Sequence, residues 1–188
     1  MFRILILLSI PPIIVTFVIR WWFGMRVLSA NRRRECSCNL QKWEQACGDQ
    51  HIPESRNADA FTFGEQLYQS ALTEWKKQDK KAAVSREGAR RFGMAVPPLA
   101  AMVAILGLIV GRIPPVAVLA IFLVAIALAS VITYLSIAPE LNAILKISRR
   151  VRDKHVFLRS DDEEAVIKVA NALAWKKSAP PIYNLIQR

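Results

Sequence analysis

Three cysteines and a histidine stand close together as Cys36-x-Cys38-x8-Cys47-x3-His51. Three thiolates and an imidazole can close a tetrahedral zinc site without an open position, which would make it structural rather than catalytic. The spacing is not that of paired C-x2-C knuckles. Reduced free thiols in a cytoplasmic loop are therefore an alternative, and a disulfide is a third if the segment faces an oxidising compartment. Other chemistry is poorly supplied. The seven glycines form neither a G-x-x-x-x-G-K-[ST] nor a G-x-G-x-x-G phosphate cradle. Cys47 and His51 could be drawn as a nucleophile pair, but a polar loop ending at Pro53 offers no oriented third group or oxyanion donors. Asp161 to Glu164 could attract a divalent cation, yet helix capping accounts for all four acids. No catalytic residue is assigned, and no cofactor beyond that structural zinc is expected.

The elements that must position these residues are set by hydropathy. Met94 to Val110 and Val116 to Ala138 carry no charge and are each about long enough to cross a bilayer as a helix. Gly111, Arg112, Ile113, Pro114 and Pro115 join them into a hairpin. A third apolar run, Ile4 to Ile19, is bracketed by Arg3 and by Arg20, Trp21 and Trp22, and lacks a convincing cleavage site, so it reads as an uncleaved anchor. Pro11 and Pro12 should kink it and free carbonyls that neighbouring helices must satisfy, whereas Pro97–Pro98 and Pro114–Pro115 suit helix starts. The expected fold is an all-α membrane protein with three transmembrane helices and cytoplasmic amphipathic helices. Its parts are an anchor (1–23), a basic, cysteine-containing segment (24–91), a membrane hairpin (92–138) and a C-terminal helical segment (139–188).

Charge fixes the expected orientation. Lys and Arg outnumber Asp and Glu by 13 to 9 between Trp21 and Arg91 and by 10 to 6 from Pro139 to Arg188, while the hairpin turn holds only Arg112. Both long segments should face the cytoplasm, with the N-terminus and the turn outside, as in a bacterial inner membrane. The net charge of +11 is thus topological first, and nucleic acid is not an expected partner. Arg32, Arg33, Arg34, Lys76, Lys77, Lys80, Lys81, Arg149, Arg150 and Arg152 are placed to meet lipid headgroups or an acidic partner. Trp21, Trp22 and Trp75 are expected to be interfacial anchors.

Ala60 to Val84 reads as an amphipathic helix with Leu67, Ala71, Leu72 and Trp75 on one side. Either it packs on its own domain, or it lies at the interface with Trp75 and Phe63 dipping into lipid. In the hairpin, Gly107 and Gly111, Ala100 and Ala104, and Ala125 and Ala129 are pairs four apart that would let helices approach closely. No ionisable residue lies inside those two spans, which argues against a proton or ion path. After the hairpin, a helix through Leu141, Ile144, Leu145, Ser148 and Val151 is followed by Ser160-Asp-Asp-Glu163, a capping box that opens a last helix.

Pro139, Glu140, Leu141, Asn142 and Ala143, and then Glu163, Glu164, Ala165, Lys168, Val169, Asn171 and Ala172, resemble two motifs that follow the membrane hairpin of YugP-type neutral zinc membrane metallopeptidases. The first is one residue shorter here between proline and glutamate, and Asn142 stands where the family has aspartate. Arg86 to Val110 resembles the family's basic approach to its second span. The resemblance implies a zinc peptidase scaffold in which Glu140 holds the downstream metal-ligand position. It also implies His-Glu-x-x-His on a helix, and neither His51 nor His155 begins that motif; where that helix would fall, shortly before Arg86, the lysine-rich helix stands. The expected function is accordingly non-enzymatic: a scaffold or accessory subunit bound to another membrane protein or to itself. Binding of anionic lipid or nucleic acid through the basic surface, and zinc-dependent peptidase activity, are the alternatives.

Overall fold

The computed structural model describes residues 2–48 and 52–178. The chain is predominantly helical, and three of its helices are long and apolar enough to cross a membrane. It divides into two compact units. One comprises residues 1–19, 84–136 and 178–188, the other residues 20–83 and 137–177.

The first unit contains most of α1 (Phe2–Arg20), most of α5 (Lys80–Ile109) and α6 (Pro115–Leu135). Pro11 and Pro12 lie inside α1, where the hydroxyls of Ser9 and Thr16 donate to the carbonyls of Ile6 and Pro12 at 2.8 and 2.7 Å. Pro115 opens α6 as expected, its missing N–H being one that no helix start can use. Pro97 and Pro98 depart from expectation, because α5 begins at Lys80 and carries both in its interior. The inward faces of the hairpin are small: Ala104, Ala117, Ala120 and Ala129 are buried. Ala104, Ala125 and Ala129 of the expected pairs lie on these faces, whereas Gly111 serves the turn with φ +73°. Gly93 brings α5 close to α6 as well, since a Cβ there would stand 3.0 Å from Thr133 Oγ1.

The second unit has the conventional hydrophobic core. After α1 the chain continues as a π-helical stretch (Trp21–Val27) and a short α2 (Leu28–Asn31). The segment expected to be irregular then forms β1 (Glu35–Ser37), α3 (Leu40–Cys47) and β2 (Asn57–Asp59). The strands pair antiparallel with Cys36 opposite Ala58, so the all-helical expectation is corrected by one small sheet. Asn39 caps α3 by accepting from the amides of Gln41 and Lys42, and Gly48 ends it with φ +80°. Asp59 caps α4 (Ala60–Gln78) through the Thr62 amide. The expected single helix over 60–84 breaks at Asp79, whose carboxylate accepts from the Ala82 amide and starts α5.

Helices α4, α7 (Ala138–Asp153) and α8 (Ser160–Ser178) pack around Leu67, Ile144, Ile147, Val151, Val166 and Val169. Trp43, Phe63 and Phe157 form an aromatic cluster with ring centroids 5.6 to 6.0 Å apart. Phe63 is 0% and Trp75 9% exposed. Of the two readings of α4, packing on its own domain is the one observed, with Phe63 and Trp75 both buried.

Gly64 brings α4 close against α8, since a Cβ there would stand 2.4 Å from Val169 Cγ1. Gly64→Ala should therefore destabilise the protein by about 1–3 kcal/mol through overpacking. Gly88→Ala, with nothing within 4 Å of the added carbon, should stabilise by up to about 1 kcal/mol through helix propensity. Thermal unfolding of the two variants in detergent should show opposite shifts.

Candidate functional site

The polar centre of the second unit is Glu140, in the first turn of α7 and only 4% exposed. Tyr68 Oη of α4 donates to its Oε1 at 2.7 Å, across 72 residues of sequence. A carboxylate this deep needs such donors, because a buried charge without them costs several kcal/mol or more. Lys177 covers the other side of the tyrosine, its Nζ 4.6 Å from the ring centroid and 3.6 Å from Glu65 Oε1. Tyr68 lies one turn beyond Gly64, so the two share a face of α4. Sequence reasoning placed Glu140 and missed Tyr68. No local spacing signals it, because its partner is 72 residues away.

A second polar set joins the same two helices. Arg150 Nη1 and Nη2 grip Glu74 Oε2 and Oε1, both at 2.7 Å, in a bidentate pair. The hydrogen bonds from Arg150, opposed in part by burial, hold the Glu74 carboxyl below its ordinary range. Beside this pair a cleft of about 440 Å³ is lined by Cys47, Ser70, Thr73 and Lys77 among others.

The expected basic surface is partly drawn into the fold. Arg34 pairs with Asp162 at 3.0 Å, Arg152 with Glu163 at 3.1 Å, and Arg150 with Glu74. Glu163, expected to reach back in a capping box, has its carboxylate on Arg152. The Arg32 guanidinium sits 5.5 Å from the Phe61 ring centroid. Arg33, Lys76, Lys77, Lys80, Lys81 and Arg149 are exposed or half-buried. Lys76 and Lys77 close α4, and Lys80 and Lys81 open α5.

The cysteines are not in an irregular loop. Cys36 and Cys38 are buried at β1 and its extension, where Cys38 bridges to Phe157, and Cys47 ends α3. All three thiols are free. Burial pushes Cys36 and Cys38 up to about 11 and Cys47 to about 12. His51 lies outside the described residues. Among the described residues no group of three or more His, Cys, Asp or Glu side chains is placed to hold a metal ion. Trp21 and Trp22, directly after the apolar helix, are 46% and 43% exposed.

No family model, curated protein or solved structure matches the chain significantly.

Two solution tests follow from this geometry. Because a thiol with a pKa near 11 is almost entirely protonated at neutral pH and the thiolate is the nucleophile, Cys36 and Cys38 should resist maleimide in the folded protein. Denaturation should expose them to rapid labelling. Glu74 has a lowered folded pKa, so its stabilising contribution is present above the ordinary carboxylate range and is lost as pH falls through the folded value. Stability measured against pH in detergent should fall less steeply on acidification in Glu74→Gln than in the parent.

Proposed function

We propose that the chain is a non-enzymatic integral membrane protein, a scaffold or accessory subunit built on a plan similar to that of the YugP-type metallopeptidases but without a catalytic metal site. The observation that carries this reading is the Tyr68–Glu140 hydrogen bond. Glu140 occupies the position that the resemblance assigns to a metal ligand. On α4, the helix facing it, Gly64 and Tyr68 stand one turn apart, and neither supplies an imidazole. Glycine has no ligand atom. Val169 presses on the Gly64 backbone, leaving no room there for a side chain, and the phenol takes up a Glu140 oxygen. These residues do not fit a hydrolytic zinc, which needs at least three protein ligands and a bound water.

The three apolar helices support membrane insertion. The excess of Lys and Arg in both long segments supports an external N-terminus and hairpin turn with a cytoplasmic C-terminal segment. A binding role for nucleic acid is less well supported, because Arg34, Arg150 and Arg152 have carboxylate partners within the protein.

Purified protein should show no chelator-sensitive cleavage of unfolded casein with added zinc, and Glu140→Ala should be indistinguishable from it in that assay. Cleavage by the parent that a chelator stops and the variant lacks would overturn the reading. Tyr68→Phe, which removes one hydrogen bond from a buried carboxylate, should cost about 1–3 kcal/mol of stability. A scaffold should also copurify with a membrane protein in fixed ratio, in detergent and at high salt.

Orientation is tested best at Arg112, which is exposed in the hairpin turn, because the native Cys36 and Cys38 are buried. In a Cys47→Ser background, Arg112→Cys should react with an impermeant maleimide in intact cells. Labelling only after lysis would reverse the topology.

A further inference from the structure

We infer that the groove between the π-helical stretch and α8 is a seat for the headgroup of an anionic phospholipid, an assignment that rests on the chain spanning a membrane. The groove, of about 520 Å³, is lined by the apolar Trp22, Phe23 and Val27, and its polar side chains include Arg26, Lys168 and Asn171. Among the described residues no carboxylate lines it. The apolar and the polar lining residues together have the chemistry of the two parts of a lipid. A phosphodiester seeks cationic donors, the ester and glycerol oxygens seek an amide such as that of Asn171, and the first acyl carbons seek an apolar wall.

Arg26 is poised for this. Its guanidinium carbon lies 4.4 Å from the centroid of the Trp22 ring, so the indole holds one face of the guanidinium and leaves its N–H edges available to an anion. The π-helical geometry of Trp21–Val27 contributes, because its i to i+5 bonding widens the turn on which the two side chains stack. Such stretches are rare and recur where function requires them. Lys168 now rests on Glu164 at 2.7 Å, an exposed pair four residues apart on one helix, of a kind weak enough to be exchanged for a phosphate.

Position argues for a lipid rather than a free anion. Trp22 follows α1 by two residues, and half-exposed tryptophans at the end of an apolar span belong at headgroup level. Inorganic phosphate would gain nothing from Trp22, Phe23 and Val27. A zwitterionic lipid would bring its own cation against Arg26 and Lys168.

The full chain in a non-ionic detergent should be titrated calorimetrically with dioctanoyl phosphatidylglycerol, dioctanoyl phosphatidylcholine and inorganic phosphate. The phosphatidylglycerol should bind saturably at one site, and the other two much more weakly. Arg26→Gln with Lys168→Gln should weaken that binding about 30-fold, the effect of two headgroup-level cations. Lys42→Gln with Lys154→Gln, the same charge change at exposed positions outside the groove, should leave it unaltered. Equal weakening in the two double variants, undiminished binding in the first, or equal binding of phosphate would overturn the proposal. Alkaline carbonate extraction reads the membrane assignment separately. Protein that stays with the membrane while the titration fails refutes the seat alone, and protein that is extracted refutes the spanning reading beneath it.

Discussion

A carboxylate at the first turn of a buried helix has few ways to remain in a protein interior, and the second unit is arranged around one of them. Glu140 needs donors that water cannot supply, and Tyr68 Oη provides one from another helix. That bond fixes the rotation of α4, because moving the phenol off Glu140 would turn Leu67 and Ala71 out of the core they share with Ile144 and Ile147. With the rotation fixed, the backbone at position 64 faces α8, and Val169 packs against it so closely that only glycine fits. The bidentate Glu74–Arg150 pair and the Lys146–Gln78 hydrogen bond then hold the same two helices further along α4. One buried charge thus sets the register of α4 against both α7 and α8.

The strong positive charge of the sequence invites a reading in terms of external anions, and the fold divides that charge into two populations. Arg34, Arg150 and Arg152 meet Asp162, Glu74 and Glu163, partners 128, 76 and 11 residues away. Half-exposed pairs of this sort contribute little stability each, but they withdraw three guanidinium groups from the basic surface. The acidic run at the start of α8 has a second role that local capping did not predict. Asp162 and Glu163 tie the helix to the segment before β1 and to the end of α7, while Glu164 serves Lys168 within its own helix.

The apolar spans were legible because a bilayer imposes length and composition on a continuous stretch, and both can be read without knowing any contact. The last helix was legible from the spacing of Val166, Val169, Ala170, Leu173 and Ala174, all buried or nearly so. Strands of three residues carry no usable period, so β1 and β2 read as loop and their cysteines as accessible ligands. The start of α5 was misplaced for another reason. Asp79 halts one helix and caps the next within a single lysine-rich run, and composition does not change across it. Tyr68 was illegible as a functional residue because its significance lies wholly in a partner 72 residues away.

Arg86 sharpens the question of what an arginine count can mean. In the folded first unit its guanidinium donates to the Thr133 carbonyl and the Ser136 hydroxyl at the C-terminal end of α6, where unsatisfied carbonyls and the helix dipole favour a cation. It therefore caps a long apolar helix besides adding to the positive excess of its segment. The two roles do not compete, since they act at different times. Orientation is decided while the spans insert, when long-range partners such as α6 and α8 have yet to be made and each Lys or Arg acts by its sign alone. Folding later pairs some of those residues and leaves others exposed. A count over short flanking segments is for that reason a sound argument about topology and a poor one about binding surfaces, which depend on the cations that remain, such as Arg26, after the fold has used the rest.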